Sequence, residues 1–376
     1  MTLAYQSAMS LIPVTEIRPT IRFMKSGFFF GFHDKTPWCP NARFLLAHRV
    51  PKQSSKLAAI EVGYFDLESE EFCPIGDTDL WNYQQGSDLQ WVGDQVLYNT
   101  RINDQQGATL FDISTSASME IEEPVSAVAA NKSYYASYCF RRLSKRMPGY
   151  GYACSSLDES PRATLRIGDF TTKSSSQVVF EAPIDTPNAR HFICQPQFSP
   201  SGTRLVFFLR TSRSQNRYDT QVIVLNTQTG TSRRLDSLTD CSHYTWVDEQ
   251  NLFAFGKESR KKRWEYLEVD TQENKATSVG WLSGFSDGHP QACSANDLLV
   301  TDSYPDRNRL QRLMIVDRST KTVRTLADLR IPLRFYGANR CDFHPRWSPD
   351  GRHICIDSAH TGERSVAILA LDEQIN

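Results

Sequence analysis

FHPRWSPDGRHICIDSAH, residues 343–360, is the stretch on which the fold is decided. A short segment carrying an aromatic ends at a polar turn, SPDG. An apolar strand, HICID, follows, and SVAILAL supplies another beyond it. Period-two alternation between closely spaced turn signals is a strand pattern. The unit recurs along the chain. ICQPQFSPSGTRLVFFLR begins at Ile193, SHYTWVDEQNLFAFGK at Ser242 and DGHPQACSANDLLVTDSY at Asp287. FHDKTPWCPNARFLLAHRV begins at Phe32, SDLQWVGDQVLYNTR at Ser87 and PVSAVAANKSYYASYCF at Pro124. The seven aligned anchors are Trp38, Trp91, Val128, Phe198, Trp246, Ala292 and Trp347, spaced 37 to 70 residues apart. Repeats of about 40–50 residues with up to four strands each are the signature of propeller blades. The expected fold is therefore an all-β, seven-bladed β-propeller.

The last unit supplies only three strands before the sequence stops at Asn376. The expectation is that a strand from within residues 14–23 completes it. Such closure removes open sheet edges and makes residues 1–376 one domain, although the length alone suggests two. The widest spacing holds an insert, RRLSKRMPGYGYACSSLDESPRA, residues 141–163. It is basic, aromatic and too long for a hairpin, so it is either functional or disordered.

Composition excludes several classes. Hydrophobic residues make up 40% and charged residues 23%, as in ordinary globular chains. With a net charge of −1 there is no global attraction to nucleic acid or anionic membrane. No apolar run is long enough to span a bilayer. The N-terminus lacks a basic n-region and an apolar core, so no secretory signal is read there. Nine scattered cysteines without CxxC pairs fit a reducing compartment rather than a disulfide framework. The expected location is cytoplasmic.

Three of the eight histidines share one repeat position, three residues before the anchor: His243, His289 and His344. Gln195 holds that place in another unit, with His191 four residues earlier, and His33 lies near it in the first. Repeat-equivalent residues of a propeller converge on one axis, so these imidazoles are expected at one channel mouth. One such histidine alone reads as a structural hydrogen-bonding residue. Several together suit general acid/base work or a metal. Arg346, Arg340, Arg210, Arg213 and Arg217 accompany them, and planar guanidinium binds carboxylate bidentately. Histidine with arginine suits an acidic sugar, whose uronate β-elimination needs a base and a positive charge for the developing enediolate. Two other motifs are set aside. GFSDG, residues 284–288, lacks the α/β setting of a nucleophile elbow. Cys241, two residues before His243, reads as a small buried side chain rather than a nucleophile.

SHYTW around His243, DGHP at His289, CDFHPRWSPDGRHICIDSAH and FFFGFHDKTPW together resemble oligogalacturonate lyases and related propeller polysaccharide lyases, including ulvan lyases. NYQQGSDLQW and PGYGYA also look like segments of that group. The resemblance runs from about Phe28 to Ile368 and implies seven blades. It implies that His243 is the proton-abstracting base and that Arg217, or Arg210, pairs the substrate carboxylate. It implies that Tyr150 or Tyr152 shares the acid/base work. His33, Gln85, Gln195, Arg210 and Arg346 then count as substrate-binding. His289 and His344 match two of the family's ligands for a divalent metal of the Mn²⁺ kind. Arg346 and Cys341 stand where the family has a histidine and a glutamine, so tight metal binding is expected to be weak or absent. The implied function is cleavage of a uronate-containing glycan by β-elimination, with an acidic oligosaccharide or polysaccharide as partner. A non-catalytic glycan-binding propeller is the alternative, and an interaction scaffold a third.

Overall fold

The computed structural model describes residues 19–51, 58–130, 133–152, 160–171, 176–214, 217–261 and 263–371. Among the described residues there are seven sheets of four strands each. Blade 1 runs through Phe28–Phe29, Phe44–Arg49, Ile60–Asp66 and Glu71–Thr78, every neighbouring pair antiparallel. Blades 2 to 6 repeat this order along the chain. Blade 7 takes its inner strands from Arg346–Trp347, His353–Ser358 and Ser365–Ala370. Its outer strand is Thr20–Ser26, which pairs antiparallel with Ser365–Ala370. The ring is thus closed by the N-terminal segment, as expected; the strand shares residues 20–23 with the expected span and runs three residues beyond it. Residues 14–18 of the expected span lie outside the described residues.

Burial follows strand position. The middle strands are sandwiched between neighbouring blades, so both faces are covered. Ser365–Ala370 is buried at every residue, and Phe44–Arg49 at its four central ones. Such strands read as nearly continuous apolar runs. The outermost strands face water and turn polar, as in Ser232–Arg234. The apolar packing between blades centres on residues such as Phe207, Phe208, Leu225 and Leu267 in one cluster and Ile315, Phe343, Ile356 and Leu369 in another.

The described part of the insert in blade 3 carries a short helix, Phe140–Arg146, that the strand pattern did not announce. Aromatic stacking pins it. Tyr138, Phe140 and Tyr152 lie in sequence with ring centroids 4.4 and 4.6 Å apart. Arg142, fully buried, donates to Asp185 at 2.6 Å. At Gly151 φ is +65°, and a Cβ there would meet the Phe140 carbonyl at 2.2 Å. Only glycine lets the loop turn back so closely, and this turn delivers Tyr150 toward the axis.

Candidate active site

The chain reaches the axis by interrupting its inner strands. The innermost strands of blades 1, 6 and 7 are two residues long. Beside these strands the chain leaves the ladder: the residues before the strand carry His289 and His344 in blades 6 and 7, and the residues after it carry Phe32 and His33 in blade 1. His344 sits there with φ of +43°, and Gln195, at a register shift inside the inner strand Arg190–Phe198 of blade 4, has φ of +53°, backbone that non-glycine residues seldom adopt. Gly31, with φ of +132°, sits against the backbone of Gln85, where a Cβ would come within 2.7 Å. That close approach allows the segment carrying Phe32 and His33 to cross inward.

Four histidines meet there. Ring centroids are 4.3 Å apart for His243 and His289, and 4.4 Å for His289 and His344. His33 lies 5.7, 5.3 and 6.3 Å from His243, His289 and His344. The Phe32 ring touches all four and also Tyr150. The four rings converge as expected, but as a buried group rather than at an open channel mouth. All are buried. The partly exposed members of the group are Asp287, Tyr304 and Arg340.

Each of the four rings is held by Nδ1. His33 pairs with the Pro290 carbonyl at 3.0 Å and His344 with the Gly31 carbonyl at 2.8 Å. His243 pairs with Asp287 at 3.0 Å and His289 with Asp302 at 2.8 Å. An imidazole that donates through Nδ1 keeps a lone pair on Nε2. The second Asp287 oxygen accepts from Ser242 at 2.7 Å, which fixes the carboxylate. Burial, and then the neighbouring charge of His289, lower the His33 and His344 pKa values well below the ordinary range. Burial also lowers that of His243, although Asp287 opposes it. For His289 burial works downward, but the Asp302 carboxylate overcomes it and raises the pKa.

Tyr150 stands beside them. Arg340 donates to its hydroxyl at 2.7 Å and to Asp342 at 2.7 Å. Burial, offset in part by Arg340, pushes the phenol up to about 12, so it carries its proton at neutral pH. Tyr152 is instead locked to Asp88 and Asn99. Arg210 is buried, stacks over Tyr218 at 4.6 Å and donates to the Met147 sulfur. Its charge acts on both Tyr150 and His243. Arg217 opens the strand Arg217–Asn226 at the tip of the hairpin, three register pairs beyond Arg210. Its side chain lies outside the described residues. Gln195 is buried at the register shift of strand Arg190–Phe198, and its carbonyl accepts from Tyr244.

Two expected substrate contacts are corrected. Gln85 accepts from the Gly151 amide at 2.8 Å and donates to Tyr138 at 3.3 Å. Both ends of its amide are occupied, so it braces the insert. Arg346 is fully buried, donates to the Gly31 and Phe32 carbonyls, and pairs with Asp357 at 3.2 Å. It clamps the segment that carries Phe32 and His33 and adds a positive charge that disfavours protonation of His33 and His344. Cys241 is buried, which pushes its thiol up and removes it as a nucleophile.

The sequence reading missed Asp342, Asp287, Asp302 and Tyr304. An acid two residues before a histidine is visible in both DGHP and DFHP, and a step of two keeps the same side of an extended segment. Asp342 is the consequential one. Ligand atoms of His289, Asp342 and His344 all lie within 4.8 Å of one another. His344 Nε2 is buried and has no hydrogen-bond partner. Two imidazoles and a carboxylate form a donor set that divalent transition metals accept, and the carbonyl and carboxylate behind the rings are the orienting groups such ligands need. These residues fit a divalent cation better than the two histidines counted in the sequence.

No family model and no curated protein matches the sequence. Solved structures do match the fold. An oligogalacturonate lyase in complex with manganese superposes with a TM-score of 0.70 at 12% identity, covering 97% of this chain and 98% of that one. An oligogalacturonate lyase from Vibrio parahaemolyticus gives 0.67 at 10% identity, with 96% and 100% covered. A prolyl endopeptidase gives 0.53 at 14% identity, with 88% of this chain but 49% of that one covered. At these identities the likeness is one of fold: the chain is a seven-bladed β-propeller. Among the described residues no helix is long and apolar enough to cross a membrane.

Proposed function

We propose that this propeller cleaves uronate-containing oligosaccharides by β-elimination. The observation that carries this reading is the buried group of four imidazoles, each tethered through Nδ1, next to a protonated tyrosine.

His243 is the base. Its Nε2 removes the proton α to the uronate carboxylate, and Asp287 stabilises the imidazolium that results. The electron pair left on C5 forms the C4–C5 double bond as the C4–O glycosidic bond breaks. Tyr150 supplies a proton to the departing oxygen, and Arg340, already on its hydroxyl, offsets the phenolate charge. Arg210 brings a fixed positive charge close to both groups. His289, Asp342 and His344 would hold a divalent cation, which would supply positive charge for the developing enediolate. His33 and Phe32 are buried with ring centroids 4.6 Å apart beside these groups, and low-dielectric surroundings strengthen charge interactions.

The test is incubation with uronate oligosaccharides, with and without added Mn²⁺, followed by absorbance of the unsaturated product. Product formation supports the reading. Tight binding of the sugars without product would favour a non-catalytic glycan-binding propeller.

A further inference from the structure

Among the described residues, the two most exposed large hydrophobic side chains stand three positions apart, Leu333 at 75% and Tyr336 at 72%. Both lie in the loop between strand Thr322–Arg330 and the turn Gly337–Asn339. The exposed Arg334 lies between them.

This loop is not loosely held. Arg309 donates to the Ile331 carbonyl at 3.1 Å and to the Phe335 carbonyl at 2.9 Å. Phe335 is buried beneath it. Arg364 donates to the carbonyls of Asn339 and Arg340, and its guanidinium lies 3.6 Å from the centre of the Tyr83 ring. At its far end the loop becomes Arg340, Asp342 and His344, which belong to the candidate site. The insert that delivers Tyr150 touches it as well, with a Cβ at Gly149 coming 3.2 Å from Ala338. A framed backbone that leaves an aromatic and an aliphatic side chain in water, continuous with a polar site, is pre-organised for a ligand that extends out of that site.

We propose that Leu333, Arg334 and Tyr336 form a platform for the sugar units beyond the one at the histidines. The Tyr336 ring would lie against the C–H face of a pyranose, as aromatic rings bind amphipathic partners. Arg334 would pair a further uronate carboxylate. The proposal rests on the uronate reading for its ligand, and it adds that the protein senses chain length.

Calorimetric titration with oligogalacturonates, from disaccharide to hexasaccharide, tests it on wild type, Tyr336→Ala and Arg334→Ala. Wild-type affinity should rise with length. Tyr336→Ala should lose roughly 3- to 10-fold for chains that reach the platform and nothing for the disaccharide. An equal loss at every length, or none at any, overturns the platform. Unchanged sugar affinity with an altered oligomeric state on sedimentation would assign the patch to self-association and also overturn it. A length-dependent gain that Tyr336→Ala removes, with no unsaturated product from wild type, would sink the elimination chemistry and leave the platform standing. No binding at any length removes both.

Discussion

The same repeat position carries two kinds of residue in two adjoining runs of blades. Three residues before their anchors, blades 5, 6 and 7 place His243, His289 and His344, while blades 1 and 2 place Lys35 and Asp88. In the first run every imidazole is tethered at Nδ1. In the second run the groups saturate each other. Lys35 Nζ lies 2.8 Å from Asp88 and 3.0 Å from Asp34. Asp88 also accepts from Tyr152, which in turn binds Asn99. The repeat brings side chains to the axis in both runs. Whether they do chemistry depends on whether the surrounding groups leave a reactive atom available.

The largest effect that would break this comparison is expected at His243. His243→Ala should lower turnover about 10²- to 10⁴-fold, the usual worth of a general base. Substrate affinity should change little, because the base acts on the transition state. A proportional loss of affinity would mean that His243 only shapes the pocket.

Lys35→Met should do the opposite. It leaves Asp88 buried without its partner, and breaking a buried pair costs about 3–5 kcal/mol. Asp88, which burial pushes up to about 6, would take up a proton and soften the loss. Denaturant unfolding should show the deficit while turnover of the folded fraction stays at the wild-type value. Lost turnover with intact stability would put Lys35 on the chemical side.

Asp302→Asn sharpens the contrast at lower amplitude. Asp302 accepts from His289 and carries no proposed bond to substrate or metal. Loss of such an orienting carboxylate costs about 10- to 100-fold in metal affinity. Mn²⁺ titration by calorimetry should show that drop. Unchanged affinity would remove His289 from the proposed ligand set.

The smallest effect is one of pH. Burial holds His48 down at about 3 in the folded protein, where it stacks on Phe29 and bonds Ser87. An unfolded histidine titrates near 6.5. Above that pH both states are neutral and the contribution to stability is complete. Below it the unfolded chain takes up a proton that the folded one refuses, so stability falls through the window from 6.5 down to about 3. By pH 5 the expected loss is about 2 kcal/mol from His48, and the lowered pKa values of His33 and His344 act in the same direction. Unfolding free energies at pH 7 and 5 check this, and His48→Gln should flatten the difference.

The propeller was legible because its signals are local. Alternation within HICID, the turn at SPDG and the common register of three histidines all lie within single repeats. Arg346, Gln85 and the tethers are of another kind. Arg346 is occupied by carbonyls more than 300 residues away, and Gln85 by an amide in the blade 3 insert. His243 finds its carboxylate 44 residues along the chain. A repeat pattern says which residues face the axis but not which are already bonded on arrival. Arg346 therefore read as a free charge, and Asp342 was passed over although it stood beside the histidine motif.

The most direct test of the central claim uses a uronate oligosaccharide carrying deuterium at C5. The account predicts an unsaturated product that has lost this deuterium, slower turnover of the labelled substrate, and both product and isotope effect abolished in His243→Ala. Saturated fragments that keep the deuterium at C5 would contradict it, because the bond would then have been cut without the proton transfer proposed for His243.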